Sequence, residues 1–377
     1  MKIPMLDLRR EYEYMQADID AAIKRCLEHQ RWILGPEVEE LEKEFGKYLS
    51  VQYCIGTSSG TDALVLALRA LAIQRKGQEY FDRGDKIITT PFTFTATGDA
   101  ILRAGATPVF VDIDPETFNI DPEQIKQALE LTQGVVGILP VHLYGQACEM
   151  NQILSLAKQY NCFVVEDVAQ ACGAAWEGQK LGTIGDAGTF SFFPSKNLGG
   201  SGDGGMIVTN SQELAALTRE LLKHGGKDKY NVEHIGYNAR LDTLQAAVLL
   251  AKLEYLDEFN NKRKKIAQLY NQYLKNCRSI QLPQFNKGDV VHQYTIRILT
   301  NQRDQIQEYL KNKGVDTTIY YLICLNRMKV FFGRCEMTGK LYEANKMQKE
   351  VLSLPIEPLM AAEEIQYVCT QIKSFFN

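Results

Sequence analysis

The sequence predicts an α/β fold with a mostly parallel sheet between helices, plus a smaller C-terminal α/β domain. Three observations carry that prediction. From residue 59 to about residue 210, helical stretches alternate with short apolar runs, and strands spaced by helices pair in parallel. The run Phe163 to Asp167 (FVVED) is apolar and stops at acids, as does a buried parallel strand whose carboxyl end faces a site. A chain of 377 residues is ample for one large core and a second, smaller one.

The elements follow in order. Arg9 to Leu27 is amphipathic and reads as a helix, broken by Trp32 to Pro36; Glu37 to Leu49 begins another. Strands are expected at Lys86–Thr90, Thr107–Val111, Gly134–Pro140 and Cys162–Val165, and two more at Gly188–Phe193 and Gly205–Thr209. Leu241 to Leu274 reads as one long helical stretch that leads into the C-terminal domain. There His292–Leu299 is a strand and Gln302–Lys313 a helix. The expected division is 1–250 for the large domain and 251–377 for the small one. No internal repeat or low-complexity segment is visible.

Apolar content of 45%, charged content of 23% and a net charge of -4 are those of an ordinary soluble protein and call for no nucleic-acid partner. Nine scattered cysteines, at 26, 54, 148, 162, 172, 277, 324, 335 and 369, form no Cys-x-x-Cys. Neither a zinc site nor a disulfide framework is expected. The first ten residues hold no long apolar stretch, so no signal peptide is expected. No run approaches the roughly 18 apolar residues of a membrane helix. A cytoplasmic, reduced protein without a metal is expected.

The chemistry centres on Ser191 to Gly205 (SFFPSKNLGGSGDGG). Lys196 is preceded by two phenylalanines and a proline and followed by a glycine-rich bend. A lysine that must condense with an aldehyde has to be fixed, partly desolvated and given room for a flat ring. Lys196 is therefore a candidate to carry pyridoxal 5'-phosphate (PLP); on this segment alone, a lysine in a polar loop weighs equally. Asp167 shifts the balance. PLP is an electron sink only while its ring nitrogen stays protonated, which requires a buried anion. By strand alternation, Glu166 points the other way. Taken alone, Asp167 reads more readily as a helix N-cap than as the ring's anion; taken with Lys196, it does not.

Cys54 to Leu68 (CIGTSSGTDALVLAL) passes from small residues into an apolar helical run. Open N–H groups at such a helix start bind phosphate, with Gly60 and Thr61 as the contacts; an ordinary capped helix is the alternative. Gly200 to Gly205 also spells G-x-G-x-x-G, but it leads into a strand rather than a helix, the reverse of a dinucleotide site. Its glycines are read as letting the backbone turn tightly. The loop His224 to Tyr230, with Lys227 and Lys229, offers either a basic patch or a mobile surface loop. His142 is read as a satisfied structural histidine, and Cys172 as a small packed residue.

These blocks, with Leu6-Asp7-Leu8, Thr90–Thr97, Gly105–Asp114, Asn119–Asp121, Pro140–Gly145 and Gly236–Ala247, resemble the DegT/DnrJ/EryC1/StrS family of PLP-dependent nucleotide-sugar aminotransferases. The resemblance implies fold-type I, the aspartate aminotransferase-like architecture, and a homodimer with shared sites. It makes Lys196 the Schiff-base lysine and Asp167 the acid on the pyridine nitrogen. Gln170 meets the ring hydroxyl and Phe94 stacks on the ring. Gly60, Thr61 and Ser191 form the phosphate cup, joined by Asn238 from the second subunit. Arg240 lies near the sugar, and the segment with Tyr320 and Tyr321 lines the substrate side. There the chain departs from the family's His-Tyr-Pro, reading Tyr320-Tyr321-Leu322, with Cys324 where a second proline is usual.

The implied reaction moves an amino group, from glutamate by the same resemblance, to a UDP- or dTDP-linked keto sugar. The nearest likeness is to members that aminate C3 of a UDP-3-keto-N-acetylhexuronate for cell-surface polysaccharide. Arg240 would then meet the uronate. C4 amination of a 4-keto-6-deoxy sugar is the alternative. A PLP-dependent sugar dehydratase on the same scaffold carries histidine in place of the lysine, and Lys196 argues against it. A non-catalytic binding or regulatory member is argued against by the intact Lys196, Asp167 and Gln170.

Overall fold

The computed structural model describes residues 1–377 except Lys229. Two amphipathic helices open it, α1 (Leu8–His29) and α2 (Pro36–Leu49). Asp7 caps α1 by accepting from the N–H groups of Arg9 and Arg10, and Pro36 occupies the first turn of α2, where its missing N–H costs nothing. β1 (Tyr53–Thr57) leads into α3 (Gly60–Lys76). Then β2 (Lys86–Thr89), α4 (Thr95–Arg103), β3 (Thr107–Phe110), α5 (Pro122–Leu131), β4 (Val135–Ile138), α6 (Met150–Gln159) and β5 (Phe163–Asp167) alternate. A small hairpin, β6 (Ala175–Trp176) and β7 (Gln179–Lys180), precedes β8 (Ala187–Ser191) and β9 (Gly205–Thr209). α7 (Gln212–Leu221), α8 (Thr243–Leu253) and α9 (Leu256–Leu274) come next. The chain ends with β10 (Ile280–Gln281), β11 (Tyr294–Ile298), α10 (Arg303–Asn312), β12 (Glu336–Met337), α11 (Tyr342–Glu350), β13 (Val351–Leu354) and α12 (Ala362–Phe376).

Eight strands form one sheet in the order β1-β9-β8-β5-β4-β2-β3-β12. The pairs from β8 across to β12 are parallel, and the two involving β9 are antiparallel. β5 thus sits centrally, and its carboxyl end meets the amino end of α3 and the turn after β8. Ala63 through Ala72 of α3 are all buried, which explains why that helix lacks a polar face. β10, β11 and β13 make a separate antiparallel sheet, covered by α9, α10 and α12.

Two features differ from expectation. The stretch Leu241–Leu274 is two helices. A turn at Glu254 and Tyr255 separates α8, which packs on α1 and α2, from α9, which packs on α12. β12, from the C-terminal part, adds to the far edge of the large sheet. Among the described residues, no helix is long and apolar enough to cross a membrane.

Candidate active site

A cavity of about 420 Å³ opens where β5, β8, α3 and α4 converge, within the size range of small-molecule sites. Lys196 and Asp167 share it with Gly60, Thr61, Phe94, Gln170, Ser191, Tyr320 and Tyr321. A wider groove, about 670 Å³, runs past Asp304, Lys311 and Asp316. Its charged groups are exposed, so nothing there desolvates them for chemistry.

Lys196 sits in a tight bend after β8. Its N–H donates to the Phe193 carbonyl (2.8 Å), and the Gly200 N–H donates to the Phe192 carbonyl (2.8 Å). A Cβ on Gly199 would lie 2.4 Å from the Pro194 carbonyl oxygen, so the bend closes only around glycine. The strand β9 follows directly, as the reversed G-x-G-x-x-G context implied. Burial pushes the Lys196 ammonium down to about 8, against the opposing pull of the Asp167 charge. The side chain keeps some exposure toward the cavity, so the amine is desolvated yet reachable.

Asp167 ends β5 and is 5% exposed. Its Oδ1 accepts from the Ala169 N–H (3.1 Å) and its Oδ2 from the Thr97 hydroxyl (3.0 Å). Burial pushes its carboxyl upward, opposed by those two donors and by the charge on Lys196. A carboxylate desolvated to this degree gains from a cationic N–H brought against it. Glu166, on the other face of the strand, is fully buried and accepts from the N–H groups of Gly182, Ile184 and Gly185, each at 2.8 Å. His142 Nε2 donates to it over 3.1 Å, while His142 Nδ1 accepts from the Cys148 N–H. His142 is thus a satisfied structural residue, and Cys172 is buried and packed, as read from the sequence.

At the start of α3, Ser59 Oγ accepts from the Asp62 N–H and the Ser59 carbonyl from Ala63. Gly60 and Thr61, the first two helical residues, have no helical acceptor for their N–H groups and line the cavity. A Cβ on Gly60 would come 2.6 Å from Ser191 Cβ, so the cradle between them exists only because position 60 is glycine. Phe94, at the N-cap of α4, is 57% exposed and presents an uncovered ring to the cavity. Gln170 Oε1 accepts from the Tyr144 N–H (2.9 Å) and Nε2 donates to the Tyr321 hydroxyl (2.8 Å), which leaves one Nε2 hydrogen for a ligand. A flat ring with an anionic group at one end and a cationic N–H at the other fits this set.

The structure does not bring Asn238 and Arg240 into the cavity of their own chain. Asn238 is exposed and pairs with the Arg240 guanidinium, and Arg240 Nε is buried without a partner. In the basic loop, Lys227 is drawn to Glu233 (2.9 Å); Lys229 lies outside the described residues. Sequence reasoning missed Thr97, His292 and Gln293. Thr97 stood three residues beyond Phe94 in a segment already singled out, a spacing that places both on one helix face.

The DegT/DnrJ/EryC1/StrS aminotransferase family matches residues 13–373. A "pleiotropic regulatory protein" of Geobacillus stearothermophilus is 43% identical, covering 100% of this chain and 99% of its own. The UDP-2-acetamido-2-deoxy-3-oxo-D-glucuronate aminotransferase of Pseudomonas aeruginosa is 38% identical, covering 98% and 99%. The crystal structure of NtdA from Bacillus subtilis with bound cofactor PMP superposes with a TM-score of 0.90 at 33% identity, covering 100% of this chain and 86% of that one. The chain belongs to the DegT/DnrJ/EryC1/StrS aminotransferase family, with the fold-type I architecture and PLP as its cofactor.

Proposed function

We propose that this protein transfers an amino group from glutamate to C3 of a UDP-linked 3-keto-N-acetylhexuronate, on the way to a cell-surface polysaccharide. The general reaction is amino transfer to a nucleotide-linked keto sugar. The pairing of a depressed lysine with a buried carboxylate in one cavity carries it. The C3 position and the uronate are supported by the Pseudomonas relative, which matches end to end.

When bound, PLP supplies an electron sink and the carbon that ferries the amino group. Gly60, Thr61 and Ser191 hold its phosphate, Phe94 covers one ring face, Gln170 donates to the ring hydroxyl and Asp167 faces the ring nitrogen. Lys196 Nζ, largely unprotonated once the pH passes about 8, takes a proton from the amino donor's α-carbon and returns one on the cofactor side. Asp167 stabilises positive charge where electrons are withdrawn. Tyr320 and Tyr321 close the sugar side. Asn238 and Arg240 act in the cavity of a second subunit, Asn238 on the phosphate and Arg240 on the sugar. In this reading residues 1–250 form the cofactor-holding unit and 251–377 the smaller one.

The test is a panel of 3-keto and 4-keto sugar nucleotides offered with glutamate to purified protein, with borohydride trapping and peptide mapping of the cofactor adduct. Amination at C3 of the uronate and an adduct on Lys196 are expected. Turnover confined to 4-keto sugars overturns the position, and an adduct on another residue overturns the assignment of the lysine.

A further inference from the structure

His292 lies just ahead of β11, is 4% exposed and borders the cavity. Its tautomer is fixed by a chain of amides that ends at a backbone carbonyl. The Cys172 carbonyl can only accept, so the Asn260 atom 3.0 Å away is Nδ2. Asn260 Oδ1 therefore faces Asn197, whose Nδ2 donates to it over 2.7 Å. That turns Asn197 Oδ1 toward His292 Nδ1 at 2.9 Å. Two acceptors do not face each other, so Nδ1 carries the proton, and Nε2 of the neutral ring is bare.

Burial, with the charges of Lys196 and Arg263, holds His292 well below its ordinary range. Nε2 can take a hydrogen bond but not, at rest, a proton. Among the described residues, the one donor recorded within hydrogen-bond range of Nε2 is Gln293 Nε2 at 3.4 Å, long for a hydrogen bond.

We propose that His292 is a specificity-determining residue whose bare Nε2 accepts a hydrogen bond from a hydroxyl or amide N–H of the keto sugar. This rests on the amino-transfer reading above. Chemistry selects the sugar over the amino donor: glutamate's two carboxylates are acceptors that a bare nitrogen repels, and its amine is spent on the cofactor carbon. A hexose carries several hydroxyl donors.

Two variants of the cofactor-loaded protein separate the ring's two nitrogens. Gln at 292 places an amide oxygen near the Nε2 position; Asn reaches only toward Asn197. His292→Asn is expected to raise KM for a UDP-linked 3-keto-N-acetylhexuronate about tenfold, the worth of one hydrogen bond, with the glutamate half-reaction unchanged and His292→Gln restoring most of the loss. Long-range proton–nitrogen spectra of the unmodified protein, assigned by the loss of one signal in either variant, are expected to show His292 protonated at Nδ1. Equal losses in both half-reactions, or a proton on Nε2, would overturn the proposal while the cofactor's near-visible band remained. Absence of that band from the unmodified protein would instead sink the amino-transfer reading itself.

Discussion

Glu166 and Asp167 are adjacent in β5, yet one carboxylate anchors the loop 182–185 and His142 while the other faces the cavity beside Lys196. Strand alternation makes this division unavoidable. The consequences of removing each are opposite. Glu166→Ala strips the acceptor from the buried N–H of Gly182, the half-buried N–H groups of Ile184 and Gly185, and the fully buried His142 ring, and is expected to cost about 3 kcal/mol, seen as a lowered melting temperature. Asp167→Asn removes a charge that burial disfavours, so the cofactor-free protein is expected to melt no lower than the parent. Its turnover should nevertheless fall on the order of a hundredfold or more. Equal melting losses in both variants would contradict the division.

The lysine's environment sets a pH dependence. The rate at which cofactor-free protein captures PLP covalently follows the fraction of Lys196 that is unprotonated. It is expected to rise with pH and pass half its maximum near 8, not near the ordinary 10.5. Asp167 pulls the lysine's pKa up, so in Asp167→Asn the plateau should begin at lower pH. Stopped-flow absorbance measures both. A midpoint near 10.5 would show that the amine is not desolvated.

Gly60→Ala puts a Cβ 2.6 Å from Ser191 Cβ and 3.0 Å from Ser191 Cα. The Cα is backbone and cannot rotate away, so α3 and β8 must move apart at the cradle. Weaker binding of PLP is expected, about tenfold or more if one phosphate contact is lost, measured by equilibrium dialysis. Inorganic phosphate should lose its power to compete with the cofactor in parallel. Unchanged affinity would remove Gly60 and Ser191 from the phosphate cup.

The parallel strands were readable because burial on both faces makes them continuous apolar runs, as in Phe163–Val165. The lysine bend was readable because its glycines and aromatics are local to it. β12 was not, since Glu336 and Met337 are exposed and carry no pattern. Nor was the contact of Thr97 with Asp167, seventy residues apart, or the amide chain from His292 to Cys172. Such pairings exist only once β5, α4, α9 and β11 are assembled. The helix break at Glu254 and Tyr255 likewise answers to what α8 and α9 pack against, not to a Gly or Pro in the sequence.

Asn238 and Arg240 lie outside their own cavity, which makes subunit exchange a direct test of a shared site. Lys196→Ala leaves Asn238 intact; Asn238→Asp leaves Lys196 intact but sets a negative charge against the phosphate. Each homodimer is expected to be nearly inactive. In a mixed dimer, the chain with the intact lysine receives the intact asparagine from its partner, and the other site receives both defects. Random exchange gives half mixed dimers with one working site each, so about a quarter of parental turnover is expected on remixing equal amounts after mild denaturation. Because neither parent can supply that activity alone, its appearance requires a site built from two chains. If activity stays at the level of the separate variants while mass spectrometry detects mixed dimers, Asn238 serves its own chain or none, and the shared site falls.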